Sequence, residues 1–278
     1  MTERLTPLAG VILSPGGTSY LPDIFDAWLT ASGQPGRYIP MEVEEKDLSE
    51  VLAALPKAGF VGVHVSPSYQ HMIMDLVDIV TDRAALMSGA NTIIFRKDGK
   101  LHADNTDGYG FVENLRQSQP GWNPKAGPAG IFGAGRAARV VISALLEVGV
   151  EEIRIASRTR PKAEQLRTEF GTRITVFDWV KAGNVADGAT LVVNATKLGS
   201  EGAPEFRVPL DGLKPGALAC DLTLDPPDTR FLRQAQYYGC HLASGVGMML
   251  CQAAPSFERW FGVKPPIDSG AFSSVWTS

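Results

Sequence analysis

The sequence predicts an α/β protein built as two lobes, on three observations. Short apolar runs alternate with stretches of helical spacing through the first part of the chain, the pattern of an open α/β sheet. Beyond residue 127 the alternation of strand and helix patterns tightens into a βαβ series, which folds as a parallel sheet with helices on both faces. Between the two, residues 121–128 are rich in glycine and proline, the composition of a connection.

In order, residues 10–13 read as a strand, 21–29 as a helix, 36–43 as a strand, 48–54 as a helix and 60–65 as a strand. The spacing of Met72, Leu76, Ile79, Val80 and Leu86 predicts one helix over 72–88, followed by a strand over 92–95 and a turn at Asp98 and Gly99. In the second lobe, strands are expected over 130–132, 152–156, 174–177, 190–194 and 217–222, with helices over 137–148 and 161–170.

Composition narrows the function classes. The chain has 278 residues, 44% hydrophobic and 20% charged, the usage of a globular protein. Its net charge of −4 supplies no positive field for a phosphate backbone, so nucleic acid is not an expected partner. The three cysteines, Cys220, Cys240 and Cys251, lack CxxC spacing and the four histidines are scattered, so no metal site is expected and the thiols read as buried groups in a reducing compartment. No run of about 18 uncharged apolar residues is present, which predicts a cytoplasmic chain without a membrane partner.

The strongest local signal is Gly133-Ala134-Gly135-Arg136-Ala137-Ala138, a GxGxxA pattern between a predicted strand and a predicted helix. In that context the first glycine permits a tight turn, the second admits a pyrophosphate to backbone N–H groups, and the small sixth residue lets helix and strand pack closely. An ordinary strand-to-helix turn is the alternative reading. After the second strand of this lobe, where an NAD site carries a carboxylate for the ribose diol, the chain reads Ser157-Arg158-Thr159-Arg160-Pro161-Lys162. A guanidinium flanked by hydroxyls matches a 2′-phosphate, so NADP(H) is the expected cofactor and Arg158 its principal anchor. Arg160 and Lys162 also read as solvated charges at a helix start.

Further segments carry a resemblance. Asn105-Thr106-Asp107-Gly108-Tyr109-Gly110-Phe111 looks like the NTDGxGF signature of the shikimate dehydrogenase family. GAGRAA resembles that family's phosphate loop, Ser157-Arg158-Thr159 its adenosine-phosphate clamp, Asn194-Ala195-Thr196-Lys197-Leu198-Gly199 its NATPLG segment, and Gly89-Ala90-Asn91-Thr92 its GAVNT turn. The segment from Gly245 through Met248, Met249, Leu250 and Gln252 to Phe257 and Trp260 is similar to its terminal motif. The motifs stand in family order. The resemblance implies a substrate-binding domain over 1–110 joined by a C-terminal helix over 246–278, and a Rossmann-like NADP-binding domain over 111–245. It also implies hydride transfer between NADP(H) and a cyclic hydroxy or keto compound, a link to aromatic amino-acid biosynthesis, and a monomer or homodimer. On the cofactor side it points to Gly133, Ala134, Gly135, Arg136, Ala137, Ser157, Arg158, Thr159, Lys162, Thr196, Leu222 and Gly245.

The pattern also departs from the family. Where NVTxPxK is expected, the chain reads His64-Val65-Ser66-Pro67-Ser68-Tyr69-Gln70, and no lysine occurs between Lys57 and Lys97. Gln70 stands at the position of the lysine that the resemblance pairs with Asp107 for proton transfer, and an amide neither takes up nor releases a proton at ordinary pH. The serine clamp for a carboxylate is replaced by Ser14-Pro15-Gly16-Gly17-Thr18-Ser19, and Leu224 stands at the tyrosine position. The expected catalytic group is therefore Asp107 with Gln70 and His64, and the expected substrate contacts are Thr18, Ser66, Asn91 and Gln252. Asp107 also reads as a helix N-cap, His64 as a core histidine and Gln252 as a surface residue; His71 and Tyr69 are weaker proton-carrier candidates. Two functions follow: an NADP-dependent oxidoreductase inefficient on shikimate, or a non-catalytic NADP-binding or ligand-sensing homologue.

Overall fold

The computed structural model describes residues 6–267. The chain divides into two compact units, one of residues 1–107 with 252–278, the other of residues 108–251.

The first unit contains β1 (Leu8–Leu13), α1 (Leu21–Ser32), β2 (Arg37–Glu42), α2 (Leu48–Ala54), β3 (Phe60–Val65), β4 (Ile79–Val80), α3 (Asp82–Met87), β5 (Thr92–Phe95) and β6 (Leu101–Asp104). Its sheet has the order β2-β1-β3-β5-β6-β4. The strands β1, β2 and β3 run parallel, so their C-terminal ends meet at one edge, while β5 is antiparallel to both β3 and β6. α1 starts with a proline in its first turn and ends at Gly33, whose left-handed φ of 62° lets its N–H reach the carbonyls of Leu29 and Thr30.

The single helix expected over 72–88 is not formed. A 3₁₀ turn over Met72–Leu76 gives way to the short strand β4, which pairs with β6, and Thr81 then caps α3 by accepting from the Ala84 N–H. Ile79 and Val80 are β-branched and their ladder with β6 offered a better partner than a helix face. β6 itself carries no clear sequence signal.

The second unit follows from α4 (Asp107–Ser118), whose first residue belongs to the first unit. It contains β7 (Ala129–Phe132), α5 (Arg136–Glu147), β8 (Ile153–Ser157), α6 (Arg160–Phe170), β9 (Ile174–Asp178), β10 (Leu191–Asn194), β11 (Leu218–Asp221), α7 (Arg230–Tyr237) and β12 (His241–Ala243). All pairings in the sheet order β12-β11-β10-β7-β8-β9 are parallel. The chain builds outward from β7 in one direction and then from β10 in the other, so a topological switch point lies beside the C-terminal ends of these two strands.

The last helix, α8, spans Gly245–Phe261 and stops at Gly262, which has a φ of 82°. It is shorter than the helix expected over 246–278, because the left-handed glycine ends it; residues 268–278 lie outside the described residues. Its final turns bury Phe257, Trp260 and Phe261 among Phe25, Trp28 and Tyr38. Trp260 crosses β3 so closely that a Cβ on Gly62 would lie 2.3 Å from its indole nitrogen, so only glycine fits this point of the strand.

Candidate active site and dinucleotide cradle

In the first unit, Asn91, Thr106, Asp107 and Gln252 form one hydrogen-bonded group. The Asn91 amide nitrogen lies 2.7 Å from Asp107 Oδ1, 2.7 Å from Gln252 Oε1 and 3.0 Å from Thr106 Oγ1. Its own Oδ1 accepts from the Thr106 N–H at 3.0 Å and the Thr92 hydroxyl at 2.9 Å. Asn91 is buried, whereas Asp107 and Gln252 are half-exposed, so solvent reaches two residues of a group anchored on a buried amide.

That support is built locally. Asp104 holds the end of β6: burial pushes its carboxyl up, but hydrogen bonds from Arg83 and Thr81 outweigh this and hold it below the usual carboxylate range. It also accepts from the Asn105 N–H, and Asn105 in turn donates to the Gly89 carbonyl and accepts from the Asp107 N–H. Thr106 and Asp104 are participants that sequence reasoning did not single out, although Thr106 lay within the quoted NTDG motif.

The other residues expected at this site have different surroundings. His64 belongs to the core: its Nδ1 is 2.7 Å from the Tyr38 hydroxyl, its ring lies 4.8 Å from Trp260 and 5.5 Å from Phe25, and it is 2% exposed. The expectation of a substitute proton carrier is corrected accordingly, because enclosure removes the ring from solvent and lowers its pKa to about 3. The pH dependence follows with a definite sign. The unfolded chain takes up a proton that native His64 refuses between about pH 6.5 and 3, so stability falls with a steady slope as pH drops through that window. Urea midpoints measured against pH should show this slope in the parent protein and lose it in His64→Gln.

Gln70 is also enclosed. Its amide nitrogen donates to the Val65 carbonyl at 2.9 Å, its backbone carbonyl accepts from Ala90, and its Oε1 is buried without a partner among the described residues. Ser66 is half-buried with its hydroxyl likewise enclosed, and Thr18 is exposed on the loop after β1. Tyr69 is taken up by a hydrogen bond to the Val43 carbonyl, and His71 by the Ser88 carbonyl.

In the second unit the loops at the switch point converge. Gly133 follows β7 with a φ of 110°, and a Cβ there would lie 2.7 Å from the Ala195 carbonyl oxygen. Gly135 is exposed, with nothing within 4 Å of the Cβ it lacks, and α5 begins directly after it at Arg136 without a side-chain cap, so a ligand can approach this turn closely. Ala134, Arg136 and Ala137 line the same turn, with Ala138 fully buried beneath it. Asn194 holds the neighbouring loop, accepting from the N–H and hydroxyl of Thr196 and donating to the buried carboxylate of Asp221. Asp221 also receives the Thr229 hydroxyl and the Thr223 N–H, making it a positioning residue that no motif announced. Leu222 donates its N–H to the Asn194 carbonyl, and a Cβ on Gly245 would lie 2.7 Å from the Leu222 carbonyl oxygen.

At the end of β8, Ser157 accepts from the Thr159 N–H. Arg160 is paired with Asp178 and Glu164, whereas Arg158 and Lys162 are exposed and have no ion pair among the described residues. Arg158 borders a cavity of about 300 Å³ together with Trp179, Leu198 and Arg207. A turn stripped of side chains, an open helix N-terminus and an unpaired guanidinium fit the pyrophosphate and 2′-phosphate of a dinucleotide.

Comparison with known proteins identifies the lineage. The family described as the shikimate dehydrogenase substrate binding domain matches residues 11–93, that described as shikimate / quinate 5-dehydrogenase matches 119–201, and the shikimate 5′-dehydrogenase C-terminal domain matches 245–269. A shikimate dehydrogenase (NADP(+)) of Cereibacter sphaeroides strain ATCC 17025 is 55% identical over 99% of both chains. The chain belongs to the shikimate dehydrogenase family. Among solved structures, the shikimate 5-dehydrogenase of Thermus thermophilus, in complex with NADP(H) and shikimate, superposes with a TM-score of 0.82 at 30% identity, covering 96% of this chain and 98% of that one. The ligand-free 5-ketofructose reductase of Gluconobacter sp. strain CHM43 gives 0.84 at 26% identity, covering 98% of each. These matches bear out the α/β architecture with an N-terminal substrate domain and a C-terminal Rossmann-like domain. Among the described residues no helix is long and apolar enough to cross a membrane, and no cluster of potential metal ligands is present.

Proposed function

We propose that the protein is an NADP(H)-dependent oxidoreductase of the shikimate dehydrogenase type, acting on a cyclic hydroxy or keto compound and inefficient on shikimate. The observation that carries the reading is the half-exposed Asp107, its carboxylate held by Asn91 beside Gln252. NADP(H) is the cofactor, as in the names of the relatives, and bound NADP(H) supplies the hydride. The turn of Gly133 to Ala137 holds its pyrophosphate, with Thr196, Leu222 and Gly245 along the same strand ends, and Arg158 with Ser157, Thr159 and Lys162 holds its 2′-phosphate. Asp107 takes the proton of the substrate hydroxyl or returns it to the ketone, Asn91 and Gln252 orient that oxygen, and Thr18 and Ser66 flank it. Gln70 positions the loop after β3 through Val65 and transfers no proton.

The test is NADPH absorbance with a panel of cyclic ketones and alcohols beside shikimate, dehydroshikimate and quinate. Consumption of NADPH with a member of the panel other than dehydroshikimate supports the reading; NADPH binding without turnover of any member would sink it and leave a ligand-sensing role. A second reading, shikimate as the working substrate, is favoured by relatives at 55% identity that bear that name; it predicts shikimate at the top of the same panel. Arg158→Ala should raise the KM for NADPH by about 10- to 100-fold, the worth of a hydrogen bond to a charged group, and leave that for NADH unchanged. Equal losses for the two cofactors would remove Arg158 from the 2′-phosphate.

A further inference from the structure

We infer that the substrate carries no carboxylate and is an uncharged polyhydroxylated ring compound, an inference that rests on the function proposed above and specifies its substrate class. It begins with the loop after β1, where the family resemblance locates the carboxylate clamp. The Gly16 N–H of that loop donates to the carboxylate of Glu42 at 3.3 Å, and the β1–β2 register sets Glu42 directly beside Leu13, the residue that leads into the loop. Two of the loop hydroxyls also have partners: Ser14 Oγ lies 3.4 Å from Ser68 Oγ, and Ser19 Oγ accepts from the Leu21 N–H at 3.2 Å. The group seated on the clamp loop is thus itself an anion.

The surrounding charge has the same sign. Because β1, β2 and β3 are parallel, Arg37 at the start of β2 and Lys57 just before β3 stand at the opposite edge of the sheet from these loops. At the near edge Glu42 ends β2 and is followed in sequence by Glu44, Glu45 and Asp47 with one cation, Lys46, which is paired with Glu44 at 2.8 Å. The loop after β3 adds no cation, since Gln70 is neutral and turned onto Val65. An approaching carboxylate meets like charge here, and a neutral molecule does not.

Hydrogen-bond chemistry accounts for the hydroxylated part of the substrate. The two amide hydrogens of Asn91 are shared among three acceptors within 3.0 Å, on Thr106, Asp107 and Gln252. A ligand hydroxyl can donate into such a group and accept in return, whereas a carboxylate only accepts.

Shikimate and its methyl ester differ in little but the charge. Binding of each to the NADP-loaded protein, measured by calorimetry, tests the inference without requiring turnover, and NADPH absorbance in the same solutions tests the proposed function separately. The ester is expected to bind at least about tenfold tighter than the acid. That preference should shrink at least about threefold in Glu42→Gln, and should also shrink as salt shortens the Debye length. Acid binding as tight as ester binding, or a preference that ignores both Glu42 and salt, would overturn the inference. Ester binding without any NADPH change would uphold it while sinking the oxidoreductase reading.

Discussion

Asp107→Asn is expected to lower kcat by about 10²–10⁴-fold, the usual worth of a positioned general acid–base group. Asparagine has the same shape and keeps an oxygen to accept from the Asn91 amide, so the network of Thr106, Asn91 and Gln252 retains its geometry. What disappears is the capacity to carry a proton. The NADP affinity and the unfolding temperature should therefore stay near the parent values, and any pH dependence of kcat that Asp107 imposes should flatten. Asp107 begins α4, so a role confined to helix stability would give the reverse result: a lowered unfolding temperature with kcat per folded molecule preserved.

Gly133→Val is expected to weaken NADP binding by at least about 100-fold, read by fluorescence titration. A φ of 110° is closed to a β-branched residue, and the added Cβ would meet the Ala195 carbonyl oxygen at 2.7 Å. The loop after β7 or the loop after β10 has to move, and the proposed cradle is made of both. Gly135→Ala supplies the contrast. Its φ of −89° suits any residue and its Cβ would touch nothing within 4 Å, so the protein alone has no need of glycine there. If a pyrophosphate lies against Gly135, alanine should leave the unfolding temperature unchanged and still raise the KM for NADPH. Equal tolerance of alanine in both measurements would place the dinucleotide elsewhere.

The second lobe was more legible in the sequence than the first because its constraints are local. Gly133, Gly135 and Ala138 fall within one turn, and the same six residues define strand end, loop and helix start. The polar group around Asn91 is different in kind. Gln252 joins it across 161 residues, a pairing that only the family resemblance suggested. His64 shows the limit of strand alternation, which says that one face is buried but not that the face of Gly62 and His64 would be roofed by Trp260. Arg158 was legible as the phosphate anchor, but the pairing that takes up Arg160 was not, since its partner Asp178 lies on another strand. The Glu42 carboxylate on the Gly16 N–H was equally invisible, since its meaning comes from strand register rather than from any motif.

The discontinuity of the first unit bears on the order in which the protein can be completed. Its sheet emerges early from the ribosome, yet Phe257, Trp260 and Phe261, which cover Phe25, Trp28 and the His64 ring, are translated after the entire second unit. The continuous segment 108–251 has all of its own strands in hand by then, whereas the earlier-made unit waits with an uncovered aromatic face. During synthesis the vulnerable species is a nascent chain whose N-terminal portion is the last to close, the reverse of the usual vectorial order.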